Sequence, residues 1–170
     1  MKRNETNQVI IGKRGFLYGS KTQGNIMVGI ALSYTTIGID AQQISVEADN
    51  SNALYGVNIV GMASSAVKES KDRIFAALKN SGYSSYDKRY TINLAPADIK
   101  KDSSALDLPI AISVLQSNNV FRVGNYRKVG IVGELSLDGN VRPISGVLPI
   151  ALAAKRDNLD TLIVTCQNAS

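Results

Sequence analysis

The 170-residue chain contains no histidine, so a serine or cysteine nucleophile with an imidazole base is excluded. Its single cysteine, Cys166, has no histidine to share a zinc ion with and reads as a small apolar side chain. The remaining nucleophilic option is a serine whose proton passes to a desolvated, neutral lysine amine. Ser103 and Ser104 lie in a polar loop, and Lys155 closes an apolar helical stretch. Asp98 with Asp102, and Glu134 with Asp138, are spaced to share a face, but nothing in the pattern marks them as an acid–base pair rather than solvated loop charges. Gly12-Lys13-Arg14-Gly15 has neither the spacing nor the preceding strand of a phosphate loop, and glycine-rich dinucleotide signatures are missing.

The elements that would hold such groups follow from periodicity. Ile30 to Ile39 reads as one long extended segment, bulged or bent at Gly38. Ile44, Val46 and Ala48 alternate with Gln43, Ser45 and Glu47 as in a half-buried strand. Asp49 to Asn52 is a turn cluster, and Tyr55 to Val60 a third strand, so an antiparallel meander is expected. Ala63 to Ser81 is an amphipathic helix with Val67, Ser70, Ile74, Ala77 and Leu78 on one face and Phe75 on the polar side; Gly82 caps it. Arg89 to Leu94 is a strand. A second helix spans about Asp107 to Gln116, with Pro109 in its first turn. A strand over Val129–Leu135, a turn at Leu137-Asp138-Gly139 and a short strand lead to a third helix, about Gly146 to Lys155, and a last strand at Leu162 to Val164. The order β-β-β-α-β-α-β-β-α-β predicts an α/β (α+β) sandwich with helices on one sheet face.

Charge is uneven. Of the net +5, four units sit in residues 1–26 (Lys2, Arg3, Lys13, Arg14 and Lys21 against Glu5), leaving +1 for residues 27–170. Residues 1–26 read as a basic leader or tail outside the folded domain, disordered or non-native, with apolar islands at Val9–Ile11 and Phe16–Tyr18. No apolar run approaches the roughly 20 residues of a membrane span, and no secretory signal is present. A cytoplasmic protein without membrane contact is expected.

Several ordered segments carry a family resemblance. They are VNIVG (Val57–Gly61), AVKESKDRIFAALKNSGY (Ala66–Tyr83), INLAPADIKKDSSALDLPIAISVL (Ile92–Leu115) and GELSLDGNVRPISGVLPIALAAK (Gly133–Lys155). With them, residues 27–170 resemble the N-terminal domain of the magnesium-chelatase-like AAA+ proteins of the ComM/YifB family and, more distantly, the Lon protease domain. The resemblance implies a fold like the second domain of ribosomal protein S5. It also implies an AAA+ module beyond residue 170 of the same polypeptide, carrying Walker motifs and using ATP and Mg. A hexameric assembly and a role in natural transformation, as a helicase promoting DNA branch migration, follow from the same likeness; this chain itself needs no cofactor.

The Lon-like pattern also makes the serine–lysine question specific. Counted from Glu134, its serine position falls on Asp107 and its lysine position on Ile150, so both halves of the dyad are missing and proteolysis is not expected. Two functions remain. One is a non-catalytic accessory domain of the ATPase, aiding assembly or touching DNA through Lys100, Lys101, Arg127, Lys128 and Arg142. The other is a degenerate peptide-binding module that captures extended chains along an exposed strand edge at Val129–Leu135. Arg142 is also placed to pair with Glu134.

Overall fold

The computed structural model describes residues 8–12, 17–18, 28–83 and 87–169. In chain order the elements are β1 (Gln8–Gly12), β2 (Leu17–Tyr18), β3 (Gly29–Ile37), β4 (Asp40–Ser51), β5 (Gly56–Val60), α1 (Ser65–Asn80), β6 (Arg89–Ala95), α2 (Asp107–Ser117), β7 (Arg122–Val123), β8 (Val129–Ile131), β9 (Glu134–Leu135), β10 (Val141–Arg142), α3 (Val147–Arg156) and β11 (Thr161–Thr165). Seven strands form one mixed sheet in the order β1-β11-β8-β3-β4-β6-β5. The pairings make β3, β5, β6, β8 and β11 run one way and β1 and β4 the other. β9 and β10 form a separate two-stranded ribbon.

The α/β class is as expected, but the wiring differs in three ways. Gly38 does not bend one strand. It opens a two-residue hairpin between β3 and β4, with Ile37 opposite Asp40 and Gly38 at φ +60°, the positive φ that the first position of a tight hairpin turn of this kind demands. The meander fails after β4, because β6 inserts between β4 and β5 and pairs parallel with β5. The single strand expected over Val129–Leu135 breaks at Val132-Gly133 into β8 and β9.

Helices also cover both faces of the sheet, not one. On the first face α2 lies so close over β3 that a Cβ on Gly29 would stand 1.9 Å from the Ser113 carbonyl oxygen. There Ile44, Val46, Ala48, Ile92 and Leu94 pack with Ile74, Leu78, Ile110 and Val114 of α1 and α2. Tyr34 points to the opposite face, where its hydroxyl donates to Asp157 Oδ2 at the end of α3 (3.0 Å); it packs there with Ala41, Ile150, Ala153 and Val164.

α1 follows its expected face. Ser64 caps it by accepting from the Val67 N–H. At the other end the Tyr83 and Gly82 N–H groups reach back to the Leu78 and Lys79 carbonyls. Phe75 is the exception to the helical-wheel reading: it is 4% exposed, held edge-on by Tyr55 and against Tyr90.

Two pieces of the expected leader fall within the described residues: β1 pairs antiparallel with β11, and β2 with β7. The remainder of residues 1–26, and Met27, lie outside them. No helix among the described residues is long and apolar enough to cross a membrane.

Candidate functional site

The carboxyl ends of β5, β6 and β8 share one edge of the sheet, the edge at which open α/β sheets commonly build their sites. α1 and α2 begin there, and the β9–β10 ribbon leaves from it. Asp107, the first residue of α2, is 1% exposed. Its carboxylate accepts from Arg73 Nε at 2.7 Å and Nη2 at 3.1 Å, and from the Leu135 N–H at 3.1 Å. One side chain thereby joins α1, α2 and β9. Burial pushes the Asp107 carboxyl up, against the pull of the Arg73 guanidinium and the Leu135 amide; its pairing with Asp107 pushes Arg73 up in turn. The carboxylate accepts three hydrogen bonds, and the position holds no serine hydroxyl.

Ile150 lies on the other face, 1% exposed, among Tyr34, Ala41, Val132 and Ala153. Its neighbours are apolar, and the nearby Lys155 points to solvent at the end of α3. Ser103 is occupied in capping the turn before α2, accepting from the Ala105 N–H at 3.1 Å. The structure therefore does not assemble a serine–lysine pair from these residues.

A buried lysine does exist at this edge. Lys101, expected on a DNA-facing surface, is 0% exposed. Its ammonium donates to the Gly61 carbonyl at 2.9 Å and to the Pro96 carbonyl, while its backbone bonds Met62 and Ser64. It thus clamps the carboxyl ends of β5 and β6 together. Burial pushes the amine down from its usual value, and Asp98 acts against that. With both carbonyls engaged and no solvent exposure, Lys101 is removed from the candidate DNA contacts.

The other four cations stay at the surface but do not form one patch. Lys100 pairs with Asp102 at 3.1 Å and Arg142 with Glu134 at 3.6 Å, both beyond the carboxyl edge. Arg127 and Lys128 precede β8 and so stand at the opposite end of the sheet. Arg127 lies over the Tyr126 ring, 5.7 Å from its centroid, and Lys128 Nζ donates to the Asn158 carbonyl at 2.7 Å. Asp138 is committed to its own turn, accepting from Ser136 and Asn140, which separates it chemically from Glu134.

The edge at Val129–Leu135 is covered. β8 lies between β11 and β3, the Val132 N–H bonds Ile163, the Gly133 N–H bonds Ala105, and β9 pairs with β10. An extended peptide finds no open backbone there, and that mode of peptide capture is withdrawn. Between α3 and β11 runs an open groove lined by Leu148, Ala151, Lys155, Leu159 and Leu162; neither Asp107 nor Ile150 reaches it. Among the described residues no cluster of acidic or cysteine side chains is placed to hold a metal ion.

Arg73 is the partner that sequence reading missed. Sequence carries no clear signal for it, because an acid in the first turn of a helix is already favoured by the helix N-terminus; only the burial of Asp107 calls for a cation.

The family model for subunit ChlI of Mg-chelatase matches residues 46–168. The chain belongs to this magnesium-chelatase-like family. It is 36% identical over 143 residues to competence protein ComM of Haemophilus influenzae and 37% identical over 145 residues to the uncharacterized protein YifB of Salmonella typhimurium. Each match covers 84% of this chain and 28% of the relative, so the chain spans little more than a quarter of the length of these curated relatives. Similarity to Lon protease 1 of Bacillus subtilis is lower, 28% over 169 residues, covering 95% of this chain and 21% of that protein.

Proposed function

We propose that this magnesium-chelatase-like chain serves as a non-catalytic domain of a larger ATPase, with ATP and Mg used by an AAA+ module of the same polypeptide. Its work is assembly or DNA engagement in competence-related DNA processing, branch migration included, within a hexamer. One observation carries the non-catalytic reading: the two positions of a Lon-like dyad hold an aspartate neutralised by Arg73 and an isoleucine packed in the core. The name of the ComM relative supports the competence context.

Of the candidate cations, Arg127 and Lys128 are the better DNA contacts, because Tyr126 beside them adds a stacking surface and the Arg127 guanidinium lies against the Tyr126 ring and hydroxyl rather than a carboxylate. A titration with branched and single-stranded DNA tests this. Binding at low salt that weakens as salt rises is expected, with Arg127→Glu reducing it more than Lys100→Glu. Absent binding, or binding indifferent to salt, overturns DNA engagement by this domain. Peptide hydrolysis abolished by Ser104→Ala would overturn the non-catalytic reading.

A further inference from the structure

Two long stretches of the sequence, residues 6–39 and 108–133, contain no carboxylate. Between them they carry six cations: Lys13, Arg14, Lys21, Arg122, Arg127 and Lys128. Without those six, the remaining cations no longer outnumber the 14 carboxylates, so the surplus of +5 comes from these stretches.

The fold brings the two stretches to one edge. Gly12 of β1 stands opposite Thr161 of β11, and Thr161 opposite Val129 of β8. The three residues form one row across adjacent strands, which puts Gly12 and Val129 about 10 Å apart. β1 and β8 run in opposite directions, so the chain after Gly12 and the chain before Val129 leave the sheet at the same end. The next residues there are Lys13 and Lys128. Residues 13–16 join β1 to β2, and β2 pairs with β7, Tyr18 opposite Arg122. The loop from β7 to β8 carries Tyr126, Arg127 and Lys128. Lys13 and Arg14 therefore belong to a link whose ends are tied to either side of that loop. One end is at β7, and the other is beside Asp160, whose N–H bonds the Lys128 carbonyl at 2.9 Å. Asp160 is exposed at this edge, a single negative charge against Lys13, Arg14, Arg127 and Lys128.

We propose that this seam between the N-terminal arm and the β7–β8 loop binds single-stranded nucleic acid. It extends the DNA contact proposed above, on which it rests, by the arm and by a choice of single strands. Phe16 and Tyr18 follow the arm's cations in sequence, and Tyr126 precedes Arg127 and Lys128 in the loop. On surfaces of this composition unpaired bases stack on aromatic rings while phosphates take the cations. A duplex keeps its base faces to itself and can use only the charge.

Fluorescence anisotropy over a salt series, with an oligothymidylate of about eight nucleotides, tests the seam. Each phosphate contact on a single strand adds about 0.7 to the slope of log affinity against log salt. Lys13→Gln with Arg14→Gln should weaken binding and make that slope shallower by about 1.4, and so should Arg127→Gln with Lys128→Gln. Lys68→Gln with Lys71→Gln, on α1, removes the same charge elsewhere and should leave the slope unchanged. Unchanged circular dichroism and melting show that the variants fold. If the loop pair weakens binding and the arm pair does not, the DNA reading stands and the arm's part in it is overturned. An α1 pair that matches the arm pair also overturns the seam, since binding then follows net charge alone. A duplex of equal length bound as tightly as the single strand overturns the choice of strand, and no binding at low salt overturns both readings.

Discussion

Asp107 and Ile150, the two residues that spacing from Glu134 assigns to a serine–lysine dyad, have opposite surroundings. Asp107 remains polar at the rim of the sheet and ties three elements together through Arg73 and the Leu135 amide. Ile150 is absorbed into the apolar layer beneath α3. The rim position could keep a charged group because a half-exposed arginine reaches it, with 32% of the Arg73 side chain in solvent. The inner position has no such access, so only an apolar side chain is tolerated. Each of the two positions thus follows its local solvent access.

Ile150→Lys should break this comparison most directly. An unpaired ammonium among Tyr34, Val132 and Ala153 lacks any carboxylate partner, and a loss of about 4 kcal/mol or more is expected in urea unfolding. Ile150→Met, similar in volume, should lose no more than about 1.5 kcal/mol. A mild Ile150→Lys effect would mean that the lysine position still has access to water or a partner.

Lys101 sharpens the contrast, since here a buried lysine is accepted. Two carbonyls supply what Ile150's neighbours do not. Lys101→Met keeps the stem but strands both carbonyls, and a loss of about 3 kcal/mol is expected by chemical denaturation.

At the rim the two partners should respond unequally. After Asp107→Ala, Arg73 turns to water, and the loss should be about 2 kcal/mol. After Arg73→Ala, the 1%-exposed carboxylate is left without its cation, and about 3 kcal/mol is expected. A double-mutant cycle measures the coupling; equal single losses with no coupling would show that the pair adds nothing to the rim.

Strand and helix periodicity made most of this fold readable. The alternation in β4 and the apolar face of α1 both landed as expected, because each depends on residues close in sequence. What stayed hidden depended on pairing across the chain. The insertion of β6 between β4 and β5 turned a presumed meander into a parallel pair. The same rearrangement buried Lys101, which by its neighbours Lys100 and Asp102 reads as a loop charge; only the bridge between Ala63 and Lys101 draws it inside. Phe75 was hidden similarly, since Tyr55 and Tyr90, which cover it, come from strand regions that flank α1 in sequence. At the candidate site the spacing from Glu134 pointed to Asp107 and Ile150, but not to the arginine that pairs with Asp107.

Tyr34 offers the smallest and cleanest test of the α3 face. Its side chain is fully buried, and its hydroxyl donates to Asp157 and accepts from Gln43 Nε2 at 3.2 Å. Burial, reinforced by Asp157, pushes its pKa up from 10.0 to about 12. A folded-state pKa above the unfolded one gives stability that is complete below pH 10 and lost as pH rises toward 12. By pH 11 the loss attributable to this tyrosine should be about 1.4 kcal/mol. Tyr34→Phe cannot ionise, so it should lack this component of the alkaline decline while losing about 1 kcal/mol at neutral pH with the hydrogen bonds. The difference between wild-type and Tyr34→Phe unfolding free energies from pH 9 to 11 isolates the effect from the lysines that titrate in the same range. A constant difference would show that the tyrosine reaches solvent, and that the layer holding Ile150 is less closed than its packing indicates.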